Sequence, residues 1–222
     1  MSEPWERRIR ASVPLGRVLA GPLFKFSVTG REYLPDGPYV AGINHLSHVD
    51  AAFAAMALRK PVRFMAAADL IGINRGLDFI LPFYGAILVP RSSVPLGAMR
   101  TGLDHLSAGG RLGLFPEGRR TEGWRASELK RGAAWLSIRA GVPLVPVALS
   151  GTDQVMGLEE RKVKRARVEV RIGKPLERFV DSFALTEAWG HVMDGLLSRD
   201  DLNSEPLPGE SRKLVSGAEE GI

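Results

Sequence analysis

PYVAGINHLSHVDAAFAAMALRKPVRFMAA, Pro38 to Ala67, changes pattern twice. PYVAGIN (38–44) is an apolar run of strand length, DAAFAAMALRK (50–60) is an alanine-rich stretch of helix length, and VRFMAA (62–67) is a second apolar run. The same alternation continues outward. GAILVPR (85–91), RLGLFPEG (111–118) and VPLVPVALSG (142–151) supply three more strand candidates, and ELKRGAAWLSIRAG (128–141) has a helical pattern closed by Gly141. In RKVKRARVEVRIGK (161–174), Val168, Val170 and Ile172 alternate with Arg167, Glu169 and Arg171, as in a strand with one buried and one wet face. Strands alternating with helices predict an α/β domain with a largely parallel sheet. Pro143 and Pro146 predict that the last apolar strand lies at the rim of the domain or of a cleft.

A chain of 222 residues suits one domain with a sizeable core. There is no cysteine, which excludes disulfides, thiolate metal sites and a cysteine nucleophile. The opening residues hold Glu3, Glu6, Arg7, Arg8 and Arg10 where a signal peptide would need an apolar run, so secretion is not expected. No run is apolar enough to predict a transmembrane helix. The net charge of +5 favours anionic partners. Nucleic acid is not expected among them, because the basic 161–174 stretch has no aromatic residue for base stacking. Residues 5–28 interleave Trp5, Ile9, Val13, Leu19, Leu23 and Phe26 with five basic residues at near-helical spacing, and Pro14 and Pro22 are expected to break that helix into pieces. Such a segment suits either a membrane interface or the flank of a soluble core. Residues 199–222 read as a mobile tail.

Two clusters carry chemistry. His45 falls at the strand-to-helix turn of NHLSHVD, and Asp50 follows it by five residues, so the carboxylate can reach one ring nitrogen and leave the other to take a proton. A metal needs at least three ligands, which His45, His48 and Asp50 could supply, but there is no cysteine and neither His105 nor His191 lies in a ligand-like cluster, so a metal is not expected. His48 reads as a structural neighbour. In FPEGRRT (115–121), Pro116 and Gly118 set a turn from which Glu117, Arg119 and Arg120 project. Paired arginines beside a glycine turn suit a phosphate, and a solvated basic loop fits the same residues. Arg91, at the end of another strand, could converge with Arg120 on one anion.

In this order, NHLSHVD, GAILVPR, FPEGRRT and VPLVPV resemble the four motif blocks of the glycerolipid acyltransferases, and most closely the 1-acylglycerol-3-phosphate acyltransferase (PlsC-like) family. The resemblance covers residues 30–175. It implies that His45 is the general base and Asp50 its orienting acid. It further implies an acceptor-binding set of Asn44, Ser47, Arg91, Glu117, Gly118, Arg119, Arg120, Thr121 and Lys130. Arg119 and Thr121 stand where FPEGTRS has threonine and serine, and LKRGAAWL, with Lys130, resembles the FKxGA segment but has Leu129 for phenylalanine. The implied fold is an αβα sandwich around a largely parallel or mixed sheet, preceded by N-terminal amphipathic helices. Residues 1–29 would then be a membrane-interfacial helical segment, 30–198 the acyltransferase domain and 199–222 a flexible tail. The implied reaction moves a fatty acyl group from acyl-coenzyme A or acyl carrier protein to lysophosphatidate, with no cofactor or metal. It would take place on the cytoplasmic face of an anionic membrane, to which the protein is peripherally attached. Other lysophospholipids, glycerol phosphate or a glycolipid are the alternative acceptors, and an inactive lipid-binding module is the alternative to an enzyme.

Overall fold

All five residues of β2 (Tyr39–Ile43) are buried, as a short apolar run requires when both faces of its sheet are covered. Tyr39, Ala41 and Ile43 point into one core and Val40 into another. In the computed structural model, which describes residues 3–73, 75–90, 95–126, 129–157 and 162–198, β2 is the centre of a seven-stranded sheet. The other strands are β1 (Lys25–Thr29), β3 (Arg63–Ala67), β4 (Ile87–Val89), β5 (Arg111–Leu114), β6 (Leu144–Ser150) and β7 (Arg167–Ile172). They lie in the order β1, β7, β6, β2, β5, β3, β4. Neighbours are parallel except β6 and β7, which are antiparallel.

Helices α1 (Pro4–Leu23) and α2 (Asp50–Leu58) close one core, with Ala20, Phe53, Ala57 and Leu58 against the odd-numbered residues of β2. Helices α4 (Leu96–Ser107), α5 (Gly132–Ala140) and α7 (Ser182–Leu197) close the other, around Leu106, Leu136 and Trp189. Two further helices, α3 (Arg75–Phe83) and α6 (Thr152–Val155), lie in the connections from β3 to β4 and from β6 to β7. The arrangement is the expected αβα sandwich.

Three expectations need correction. The stretch bearing Pro143 and Pro146 is not a rim: β6 lies between β2 and β7, and six of its seven residues are buried. The prolines are tolerated because the ladder is irregular there. Pro146 accepts a bond from Gly173 N–H (2.9 Å) but has no N–H to return, and the opposite chain then bulges by one residue before Leu144 and Leu176 exchange both bonds.

Pro14 does not break α1, which runs unbroken for 20 residues, with Pro22 in its last turn. Pro14 is on the exposed side, as is Arg10, whose carbonyl loses its intrahelical partner and can turn to water.

Finally, the 1–29 segment is not all helix, because Lys25–Thr29 joins the sheet beside β7. Its aromatic residues turn inward: Trp5 is buried against Gly85 and His105, and Phe26 packs on Phe53. The outward stripe of α1 holds Arg7, Leu15 and Val18. The expected tail, 199–222, lies outside the described residues.

Candidate active site

Because β2 and β5 are parallel neighbours, the loops that follow them leave the same edge of the sheet side by side. The first loop is NHLSHVD and the second is FPEGRRT. Carboxyl-terminal edges of this kind are where open α/β sheets hold their ligands.

His45 and Asp50 meet. Asp50 is the first residue of α2 and completely buried, and its Oδ2 accepts from His45 Nδ1 at 2.8 Å, Leu46 N–H at 2.7 Å and Ser47 N–H at 2.7 Å. A carboxylate in that place also faces the positive end of the helix dipole. With two main-chain donors on the same oxygen, the group against Nδ1 must be an acceptor, so Nδ1 carries the ring proton and Nε2 keeps its lone pair. The His45 side chain is 22% exposed. One face of its ring is stacked on Phe115, with centroids 4.0 Å apart and planes at 22°. Phe64 continues the stack behind Phe115 at 6.2 Å.

The loop bearing His45 is tied on both flanks. Towards β6, Asn44 donates to the carbonyl of Leu149 at 2.9 Å and accepts its N–H at 2.7 Å, and Ser47 Oγ donates to the Met156 carbonyl at 2.6 Å. Towards β5, the N–H of His45 donates to Glu117 Oε1 at 3.0 Å, the N–H of Thr121 donates to the His45 carbonyl at 3.0 Å, and Thr121 Oγ1 donates to Glu117 Oε2 at 2.7 Å. Asn44 and Ser47, expected among the acceptor-binding residues, are therefore corrected to scaffold: both are completely buried and their side chains are committed to main-chain atoms. Glu117 is 6% exposed, and both of its oxygens already accept from protein donors. Burial pushes its carboxyl above the usual glutamate value, against the opposing pull of the Thr121 hydroxyl and the His45 N–H.

The cations gather around Gly118, which adopts a left-handed φ of 68°. A side chain at this position would collide with Lys130, whose ammonium lies over the glycine. Arg119 is exposed on the same turn, and the Arg120 guanidinium lies against the His48 ring. His48 is thus a neighbour of the arginine. Arg91 lies outside the described residues. Among the described residues no group of three or more His, Asp or Glu side chains is placed to hold a metal ion.

Two supports of the site are not among the residues expected from the sequence. Phe115 stacks on the His45 ring, and Trp189 of α7 donates its indole N–H to the Gly42 carbonyl at 3.3 Å, leaving no room for a side chain on Gly42 just before the turn. The glycine inside an otherwise apolar strand was the one available hint of such a close approach.

The chain is 29% identical over 187 residues to the chloroplastic 1-acyl-sn-glycerol-3-phosphate acyltransferase LPAT1 of Arabidopsis thaliana, covering 79% of this chain and 50% of that protein. It is 29% identical over 153 residues to the 1-acyl-sn-glycerol-3-phosphate acyltransferase of Bacillus subtilis, covering 68% of this chain and 73% of the relative. It spans about half the length of the plant and algal relatives it matches. Its fold matches the crystal structure of the 1-acyl-sn-glycerophosphate acyltransferase PlsC from Thermotoga maritima, with a TM-score of 0.73, 20% identity, and coverage of 90% of this chain and 80% of that one. Residues 25–150, from the first strand through β6 and both site loops, match the family model described as Acyltransferase, and the chain belongs to that family.

Proposed function

We propose that the protein is an O-acyltransferase that moves a fatty acyl group from a thioester to the free hydroxyl of 1-acylglycerol-3-phosphate, giving phosphatidate. The observation that carries the reading is the His45–Asp50 pair, with Nδ1 tied at 2.8 Å and Nε2 left to take a proton, on a loop beside one bearing Arg119 and Arg120. In the reaction Nε2 removes the acceptor hydroxyl proton as that oxygen attacks the thioester carbonyl carbon. The tetrahedral centre then collapses, the carbon–sulfur bond breaks, and the departing thiolate takes the proton back from the imidazolium. No acyl-enzyme forms. Arg120, Arg119 and Lys130 hold the acceptor phosphate around the Gly118 turn, where guanidinium groups match a phosphate bidentately. The donor is acyl-coenzyme A or acyl carrier protein, and the anionic substrates suit the basic charge of the chain.

No described helix is long and apolar enough to cross a membrane. Access to a lipid acceptor is proposed to come from peripheral docking at the cytoplasmic face through the exposed sides of α1 and α3. These expose Leu15, Val18, Phe79 and Ile80 among Arg7, Arg10 and Arg75, and the helices meet where the Arg8 guanidinium lies 4.6 Å over the Phe83 ring. None of the side chains of α3 is buried, although most are apolar.

The test is thiol release from a long-chain acyl-coenzyme A, with and without lysophosphatidate, by wild type and His45→Ala. A positioned general base contributes about a hundredfold to ten-thousandfold, so the variant should lose acceptor-dependent release by that factor while staying folded. Acceptor-dependent turnover within a fewfold of wild type would remove His45 from the mechanism.

A further inference from the structure

We propose that Glu117 and Thr121 are positioning residues that grip the main chain of His45, and not ligands of the acceptor. The inference rests on the acyl-transfer reading for its kinetic consequence, though not for its geometry. Asp50 orients the His45 ring, but the ring can only be placed as well as its own backbone. His45 lies between the end of β2 and the start of α2, where no sheet or helix supplies partners for its N–H and carbonyl. Those two groups go instead to Glu117 Oε1 and to the N–H of Thr121, both at 3.0 Å. The Thr121 hydroxyl then donates to Glu117 Oε2 at 2.7 Å and closes a ring of three residues.

A ligand of the acceptor would need a free polar atom facing it. Glu117 is 6% exposed and each of its oxygens is turned to a protein donor, and a carboxylate is in any case repelled by a phosphate. Thr121 suits the grip because its β-branched side chain is stiff about χ1 and holds the hydroxyl in one direction.

The grip predicts an unusual tolerance. Glutamine at 117 can accept the His45 N–H through its oxygen and donate its amide N–H to the Thr121 hydroxyl, keeping both bonds without the charge. Steady-state kinetics on the full chain with acyl-coenzyme A and lysophosphatidate should therefore separate the variants. Glu117→Gln and Thr121→Ser are expected to keep kcat within about threefold of wild type. Glu117→Ala and Thr121→Val are expected to lose about tenfold to a hundredfold in kcat with the acceptor KM unchanged, because a base displaced by a fraction of an ångström loses rate and not binding.

A second readout needs no substrate: in protein labelled with 15N-histidine, the His45 main-chain amide proton should sit downfield in wild type and Glu117→Gln and move upfield in Glu117→Ala. Glu117→Gln as impaired as Glu117→Ala, or an acceptor KM that rises at constant kcat, overturns the proposal. So does a His45 amide signal indifferent to Glu117→Ala. If Glu117→Ala does not fold, the near-isosteric Glu117→Gln and Thr121→Val still decide. If wild type shows no acyl transfer, the functional reading fails while the amide signal still tests the grip.

Discussion

Asp50→Asn is expected to weaken the base without changing its tautomer. In a triad where the mutant amide turns its NH2 towards the histidine, the wrong tautomer results and the rate falls about ten-thousandfold. Here that turn is blocked. The oxygen facing His45 Nδ1 also accepts from the N–H groups of Leu46 and Ser47, both at 2.7 Å, so an NH2 group there would meet two main-chain donors. Asparagine must keep its oxygen in that place and put its NH2 where Oδ1 lies, a buried position with no hydrogen-bond partner among the described residues. What is lost in catalysis is only the charge that stabilises the imidazolium. Exchanging a charge-assisted bond for a neutral one costs about 1–1.5 kcal/mol, or roughly fivefold to twelvefold in kcat. The unsatisfied buried NH2 should also lower folding stability by about 1–3 kcal/mol. Thiol release with saturating lysophosphatidate measures the first effect, and urea unfolding the second. A kcat loss near ten-thousandfold would show that the amide does turn and that the main-chain bonds do not dictate its orientation. A loss below about threefold would show that the carboxylate charge does not act on the base.

Further outcomes follow from the same geometry. Asn44→Ala should cost about 2–4 kcal/mol of stability in urea unfolding, because it strands the buried N–H and carbonyl of Leu149, and should leave the acceptor KM unchanged in the fraction that folds. Arg120→Ala should raise the KM for lysophosphatidate by about tenfold or more, with a smaller effect on an acceptor lacking phosphate, as for a charge-assisted contact made in both ground and transition states. Burial raises the Glu117 carboxyl in the folded state, so the folded protein holds that proton more tightly than the unfolded chain does. Its contribution is therefore full below the ordinary glutamate value and declines as pH rises from there through the raised folded value. Stability measured against pH should show this decline in wild type relative to Glu117→Gln, and an identical pH dependence in the two proteins would contradict it.

Much of the molecule could be read from local pattern. The apolar runs at 38–44, 62–67 and 167–172 and the helix at 50–58 depend on neighbours in sequence, so periodicity reveals them. The His45–Asp50 pair is five residues apart across one turn, a separation that local geometry can close, and it does so at 2.8 Å. Gly141 ends α5 with a left-handed φ of 64°, the conformation glycine adopts at little cost.

Where the reading failed, the deciding partner was distant in sequence. Pro146 signalled an edge because proline lacks a donor, yet β6 is interior, and the missing bond is accommodated by a bulge near residues 173–176 that local pattern does not show. Trp5 signalled an interface because it is amphipathic, but Gly85, 80 residues later, leaves the space that buries it. Asn44, Ser47 and Glu117 match motif positions for which the resemblance implies contact with the acceptor. In the fold their side chains bond to Leu149, Met156, His45 and Thr121, partners that no local pattern shows. Sequence alone was enough for the α/β class, the strand-to-helix turn and the His45–Asp50 pairing, because each follows from residues within about a helical turn or a strand length of one another. Which polar side chains are committed to main-chain atoms around His45 is visible only in the packed fold. That depends on which buried main-chain N–H and carbonyl groups lack a partner once β2, β5 and β6 lie side by side, and every such group must be satisfied.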